Sequence, residues 1–375
     1  MDEILTRAAQ LLGEDSLTLI DGLRTEGRNR VARARRASNG DVVIIKASVG
    51  EDGLPTADPS DDDESTGWRM RNEGAGLAFL SQLDITPPIA PRFLAGNFES
   101  GIVVMEDLGA EAGALSHRLL GSAPDAANEA LLSYARALAR MHSATQGHEE
   151  QYQAVRASWG GQGVPEEKEG DTAEKFCTLL EKYGVAVSDA LKEEQKALSE
   201  LLRDRTWYAF TPRDCCPDNN LIRDDGTVVF FDLEFAVYRH ALLDLAYLTA
   251  PFPTCWCVGR LEIEQVNTAI AAYRAVFNPA PGDFDKALAA ATGFWMMGTM
   301  AWNWGDWEKE DQTWGEATIR QRHLLRLENG ARLLAPYFPI LAEAATQLRE
   351  TLAPKWPDLE PLPAYRVFRQ ETANA

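Results

Sequence analysis

The chain has 375 residues, 45% of them apolar and 25% charged, which suits two or three packed subdomains and excludes a wholly disordered chain, a fibre or a repeat array. Its 57 acidic residues against 37 basic ones give a net charge of -20, which argues against electrostatic capture of nucleic acid or anionic lipid and leaves neutral or cationic partners. No stretch reaches the ~18 uninterrupted apolar residues of a membrane span, and the acidic start Met1-Asp2-Glu3 does not read as a secretory signal, so a cytoplasmic location is expected.

An amphipathic opening from Asp2 to Leu12 precedes two strand-like segments, Leu17 to Leu23 and Val31 to Arg35, joined by the polar run Arg24 to Arg30. Asn39-Gly40 is a two-residue turn signal that introduces a third strand, Asp41 to Ser48. Within it Val42, Ile44 and Lys46 share one face, so a lysine is carried on the side expected to hold core residues. Residues 50–67 turn to Asp, Glu, Pro, Ser and Gly and read as an acidic flexible loop. A helix follows over Trp68 to Leu83, with Glu73 inside it and Gly74 and Gly76 interrupting it. Ala90 to Phe98 and Gly101 to Met105 are two further strands, the second running into Glu106-Asp107-Leu108-Gly109. Helical periodicity then takes over, from Ser122 to His142 and from Glu166 to Arg203. Trp207 to Val237 is strand-like again, and the remainder to Ala375 is mainly helical, with Trp295, Trp302, Trp304, Trp307 and Trp314 close together. A small strand-rich unit thus hands over to a helical one.

Five cysteines, Cys177, Cys215, Cys216, Cys255 and Cys257, are an odd number on a long chain and make no secreted disulfide framework, which favours a reducing compartment. Cys215-Cys216 and Cys255-Trp256-Cys257 leave open a four-thiolate zinc site, although the spacing fits no familiar ribbon; plain buried thiols are the alternative.

The chemistry concentrates between Thr211 and Glu234. Asp225-Gly226 between two β-prone arms predicts a two-residue hairpin turn that pairs Asp224 with Thr227 and, further out, Asn219 with Asp232. Directly opposed side chains have Cβ atoms roughly 4.5 to 5.5 Å apart. An amide oxygen and a carboxylate at that distance suit a shared hard cation such as Mg²⁺. Asp214 stands five residues before Asn219, where a short loop leaves its carboxylate beside the metal.

The pattern D-x-x-P-x-N of Asp214 to Asn219, followed by the D-x-E of Asp232 to Glu234, resembles the aminoglycoside phosphotransferase and choline kinase-like family. The resemblance extends over about Leu17 to Leu248 in matching order. Gly27 to Val31, with Asn29, resembles a nucleotide-covering hairpin, Lys46 the strand lysine on the ATP phosphates, and Glu73 its helix partner. Glu106 to Leu108 resembles the hinge that receives adenine, and Asp244 a buried structural aspartate. Taken singly, each of these is ordinarily an edge lysine, a solvated carboxylate or a turn.

The resemblance implies an α+β, two-lobed protein kinase-like fold, with a nucleotide-binding lobe over residues 1–106 and a catalytic, substrate-binding helical lobe over residues 107–375. It implies transfer of phosphate from ATP to a hydroxyl of a small molecule, with Mg²⁺ on Asn219 and Asp232 and with Asp214 as catalytic base. Amino sugars, aminoglycoside-like compounds and amino alcohols remain open as acceptors. Glu234, Trp302, Trp304 and Asp306 are the candidate acceptor contacts, since aromatic faces and carboxylates suit a neutral or cationic ligand. Two departures stand out: Pro212 and Arg213 replace the family's His-Gly before the catalytic aspartate, and no aromatic follows Asp232. They motivate the alternative of a weakly active or silent nucleotide-binding scaffold.

Overall fold

The computed structural model describes every residue except 57, 61, 63, 64, 110–112, 164–170, 278–281, 302, 303 and 370–375, and for residues 304 and 305 the backbone alone. Five strands, β1 (Leu17–Arg24), β2 (Asn29–Arg36), β3 (Val42–Ser48), β4 (Phe93–Asn97) and β5 (Ile102–Glu106), form one antiparallel sheet in the order β1-β2-β3-β5-β4. The period of two in β3 sends Val43, Ile45 and Ala47 to the face covered by Ile4, Ala8 and Ala9 of α1 (Asp2–Leu12). Ile44 and Lys46 therefore face the other way, into a cavity. The alternation is the one expected, but the face carrying Lys46 is the cavity face and not the packed one, because the amphipathic opening helix claims the opposite side.

Helix α2 (Thr66–Leu80) starts at Ser65, whose hydroxyl accepts from Trp68 N at 3.0 Å, and the Arg71 guanidinium holds the carbonyls of Pro59 and Ser60 from the acidic stretch before it. The two glycines inside this helix are close-approach positions. A Cβ at Gly74 would lie 2.2 Å from the buried Trp159 ring, and one at Gly76 would lie 3.0 Å from Phe210. Gly74→Ala is therefore expected to cost about 1–3 kcal/mol through overpacking, read as a lowered denaturation midpoint. An unchanged midpoint would mean that Trp159 is not seated on α2.

Beyond the sheet come α3 (Leu115–Leu119), α4 (Pro124–Thr145), α5 (Glu149–Ser158), α6 (Thr172–Lys182) and α7 (Asp189–Leu202). The single helical stretch expected up to Arg203 is two helices, because Gly184 takes a left-handed conformation between them. Two short antiparallel ladders follow, β6 (Tyr208–Thr211) with β9 (Val237–His240), and β7 (Asn220–Ile222) with β8 (Val228–Phe230). The chain finishes with α8 (Leu242–Leu245), α9 (Ile263–Arg274), α10 (Phe284–Ala301), α11 (Trp304–Lys309), the two-residue strands β10 (Thr313–Trp314) and β11 (Ala317–Thr318), α12 (Ile319–Leu334) and α13 (Pro339–Leu352). Tyr134, Tyr152, Phe176, Trp207, Phe210 and Tyr273 are fully buried in the main core, which runs from α2 through these helices. The whole is an α+β molecule with a β-rich N-terminal part and a mainly helical C-terminal part.

The β7–β8 hairpin differs from expectation by one residue. Asn220 pairs with Phe230, and Arg223 N donates to Thr227 O at 2.9 Å, so the loop has three residues and ends on Gly226 at φ 80°. Asp225 Oδ1 accepts from Thr227 N at 2.9 Å, which stabilises this longer turn over the two-residue one. Asn219 consequently stands opposite Phe231, whose N–H donates to the Asn219 carbonyl at 3.2 Å, and Asp232 lies one residue further on.

Candidate active site

A cavity of about 240 Å³ opens under the sheet. Val31, Ile44, Met105, Leu221 and Phe231 supply apolar walls, Glu106 to Gly109 form one edge, and Lys46, Glu73 and Asp232 make the polar end. Lys46 reaches that end from β3, Glu73 from α2, and Asp232 from just after β8. Lys46 Nζ is 3.3 Å from Glu73 and 3.6 Å from Glu234, and it contacts Asp232 directly. Glu234 is also paired with Arg28 at 2.8 Å and Arg69 at 3.0 Å, so its charge is met elsewhere. Glu73 and Asp232 share the Lys46 ammonium, and Arg24 and Arg28 add positive charge on the Asp232 side.

Burial pushes the Glu73 carboxyl up to about 7 despite Lys46. Burial alone would depress the Lys46 ammonium, but Glu73, Asp232 and Glu234 outweigh it and hold the lysine well above its ordinary value. For Asp232, burial is outweighed by Lys46 and by Arg24 and Arg28, and its carboxyl lies below the usual range. Asp232 adopts φ 62°, ψ 56°, a left-handed conformation that an aspartate tolerates better than most residues and that is common where function demands it.

The second group of residues lies on the loop between β6 and β7. Asn219 Nδ2 donates to the Asp214 carbonyl at 3.0 Å and to its Oδ2 at 3.1 Å, and Thr254 Oγ1 donates to Asp214 Oδ1 at 2.7 Å. Burial pushes Asp214 up to about 6, opposed by these two hydrogen bonds. Arg213, at φ 63°, has its carbonyl held by Tyr247 OH at 2.7 Å and by Arg239, which itself pairs with the buried Asp244. Two donors thus anchor the loop at the place where Pro212 stands. Asn220 adds a third tie, accepting from Leu115 N at 3.0 Å and donating to Pro217 O at 3.0 Å.

The cysteines require a correction. Cys216 and Cys255 form a disulfide that joins the loop to the segment bearing Thr254, while Cys215 and Cys257 are buried free thiols. A four-thiolate site is therefore not built, and two of the five thiols expected to be free are paired. The fold brings residues 39 apart in sequence to a Cα separation of 5.5 Å, which spacing along the chain does not reveal.

Lys46, Glu73, Asp232, Glu106 and Leu108 meet at one cavity, and Asp214 and Asn219 form a hydrogen-bonded pair at the open end of the adjoining hairpin. Glu234 is buried beside the start of β2, where Asn29 Nδ2 donates to it at 3.3 Å. Asn29 is correspondingly spent on Glu234 and is not among the residues lining the cavity. Trp302 and the side chain of Trp304 lie outside the described residues. Asp306 is exposed and lines a different cavity. Sequence reasoning missed Thr254, Tyr247 and Arg239, which reach the Asp214 loop only through tertiary packing. It also missed Arg322, His323 and Arg326, whose spacing along one helix was a readable signal.

Residues 65–292 match the model of the phosphotransferase enzyme family. Among solved structures the chain is similar to choline kinase LicA from Streptococcus pneumoniae, at 15% identity over 90% of this chain and 99% of that chain, with a TM-score of 0.48. It is also similar to macrolide 2'-phosphotransferase MphH from Brachybacterium faecium, at 18% identity over 92% and 97% of the two chains, with a TM-score of 0.46. A third similar structure is an ethanolamine kinase of Plasmodium vivax, at 12% identity over 91% and 83%, with a TM-score of 0.43. No curated protein matches the sequence.

Proposed function

Because this chain belongs to the phosphotransferase enzyme family, we propose that it transfers the terminal phosphate of ATP to a hydroxyl of a small molecule, with Asp214 as the acid–base group. The observation that carries the reading is the Lys46–Glu73 pair beside Asp232 in the cavity under the sheet, with the Asp214–Asn219 pair on the neighbouring loop. Apolar walls suit a flat base, and the backbone of Glu106 to Leu108 borders them. Lys46, steadied by Glu73, would bind the α- and β-phosphates.

The donor set also fits Mg²⁺. The Asn219 amide nitrogen is occupied by Asp214, its Oδ1 has no partner among the described residues, and Asp232 adds a carboxylate beside Lys46. Asn219 and Asp232 would hold the ion, which when bound neutralises charge on the phosphate oxygens. Asp214 would orient the acceptor hydroxyl and accept its proton as the phosphate moves. Thr254 and Asn219 keep its carboxylate in one orientation for that step.

A silent scaffold was motivated by Pro212. Anchoring of the Arg213 carbonyl by Tyr247 and Arg239 supports an ordered loop without the histidine. Labelled ATP and MgCl₂ are incubated with pooled amino sugars, amino alcohols, aminoglycosides and sugar acids, and products are read by mass spectrometry. A phosphorylated acceptor is expected; tight ATP binding with no labelled product in any pool supports the scaffold instead.

A further inference from the structure

A second cavity, of about 350 Å³, lies in the helical part between α11, β10, α12 and Pro253. Its wall carries Arg322 (1% exposed), His323 (2%), Arg326 (4%) and Trp307 (2%). The Nε atoms of both arginines, both ring nitrogens of His323 and the indole nitrogen of Trp307 are buried without a hydrogen-bond partner among the described residues. Unmet donors at this density are costly, and native folds resolve such groups with a ligand or ordered water.

The charge is equally unresolved. Among the described residues neither Arg322 nor Arg326 forms an ion pair; their terminal nitrogens reach only the carbonyls of Pro251, Pro253, Cys255, Trp256 and Trp314. Burial lowers Arg322 to about 10 and Arg326 to about 9, and Arg322 adds repulsion to Arg326, yet both remain cationic at neutral pH. Burial also holds His323 well below its ordinary value, so it is neutral, with one nitrogen a donor. Among the described residues lining the cavity the one carboxylate, Asp306, is exposed. Two buried guanidiniums with no acidic partner call for an anion.

Four of the five carbonyls gripped by the arginines belong to residues 251–256, and Thr254 in the middle of that segment donates to Asp214. The cavity and the candidate base are thus separated by one stretch of backbone. Trp314, half exposed at the cavity, has the Arg322 guanidinium 4.9 Å from its ring centre and offers a stacking face to a sugar-like ligand.

We propose that this cavity holds the anionic end, a carboxylate or a phosphate, of a polyhydroxylated phosphate acceptor, with His323, Trp307 and the two arginines as its hydrogen-bond donors. The word acceptor rests on the phosphotransferase reading; the anion site does not. The proposal departs from the amine-bearing acceptors expected from surface charge, because the net charge of a surface does not set the charge of a buried pocket.

The test is calorimetry on the full chain without nucleotide, titrating sugar acids of three to seven carbons, sugar phosphates, and the neutral sugars and amino sugars of the same skeletons. At least one carboxylate or phosphate should bind ten-fold or more tightly than its neutral and amine counterparts; which of the two it is identifies the anion. Trp307→Phe and His323→Leu, neither of which removes a hydrogen bond used by the fold, should each weaken that binding at least five-fold with circular dichroism and melting temperature checked in parallel. Equal or stronger binding of the amines, no binding by any anion, or anion affinity indifferent to both variants overturns the proposal. Phosphorylation of some acceptor without anion binding refutes this site alone. Anion binding without transfer to any compound refutes the phosphotransferase reading and leaves the site standing.

Discussion

Asp214→Asn should lower the rate of phosphate transfer by roughly 10²–10⁴-fold, the range in which a positioned acid–base group contributes. Asparagine keeps the shape of the side chain and still accepts from Thr254, so the loop retains that contact. It cannot accept the hydroxyl proton. Asp214 is not among the residues lining the cavity under the sheet, so the KM for ATP should stay within about two-fold while kcat falls. Steady-state kinetics at saturating acceptor separate the two parameters. A fall in ATP affinity with kcat preserved would move Asp214 out of the acid–base role.

Lys46→Met is the second large effect. It removes the ammonium that faces Glu73 and Asp232 and leaves two carboxylates at the polar end of the cavity. Glu73, already pushed up to about 7 by burial, loses its main opposing charge and will take a proton, which spares the fold an unpaired buried anion. Phosphate binding loses its charge-assisted partner, and kcat/KM for ATP should drop at least about 10²-fold. Lys46→Arg should not restore it, since a planar fork does not replace a point charge at a corner shaped by two carboxylates. Equilibrium binding of a fluorescent ATP analogue, alongside the kinetics, checks this. Unchanged nucleotide affinity in the methionine variant would show that Lys46 serves only to neutralise Glu73 and Asp232.

Local order was legible in the sequence. Strand alternation over Val42 to Ser48, the helix carrying Glu73 and the D-x-x-P-x-N spacing of Asp214 to Asn219 are short-range patterns, set by backbone geometry over a few residues; the turn expected from Asn39-Gly40 forms there, but as a four-residue loop over 37–40, since Arg35 pairs with Val42 and Arg36 N donates to Asp41 O. These patterns sufficed for the two-part α+β architecture, whereas Lys46, Glu73, Glu106 and Leu108 were linked to one site only through the family resemblance. What they could not give is which side of a strand another element covers. Lys46 faces the cavity because α1 packs on the opposite face, and that is decided by a helix some thirty residues away.

The same reason accounts for the other differences. Asn219 and Asp232 are offset by one position because the aspartate–glycine turn takes a three-residue loop, in which Thr227 N donates to Asp225 Oδ1. Glu234 turns to Arg28, Arg69 and Asn29 because the start of β2 and helix α2 bring to it three donors that lie far away in sequence. Thr254 and the Cys216–Cys255 disulfide reach Asp214 only after the helical part has folded back on the loop. Sequence alone thus determined the broad succession of strand-rich and helical segments and the chemistry carried on them. Tertiary structure decided the partners, because burial and pairing of charge depend on distances that spacing along the chain does not encode.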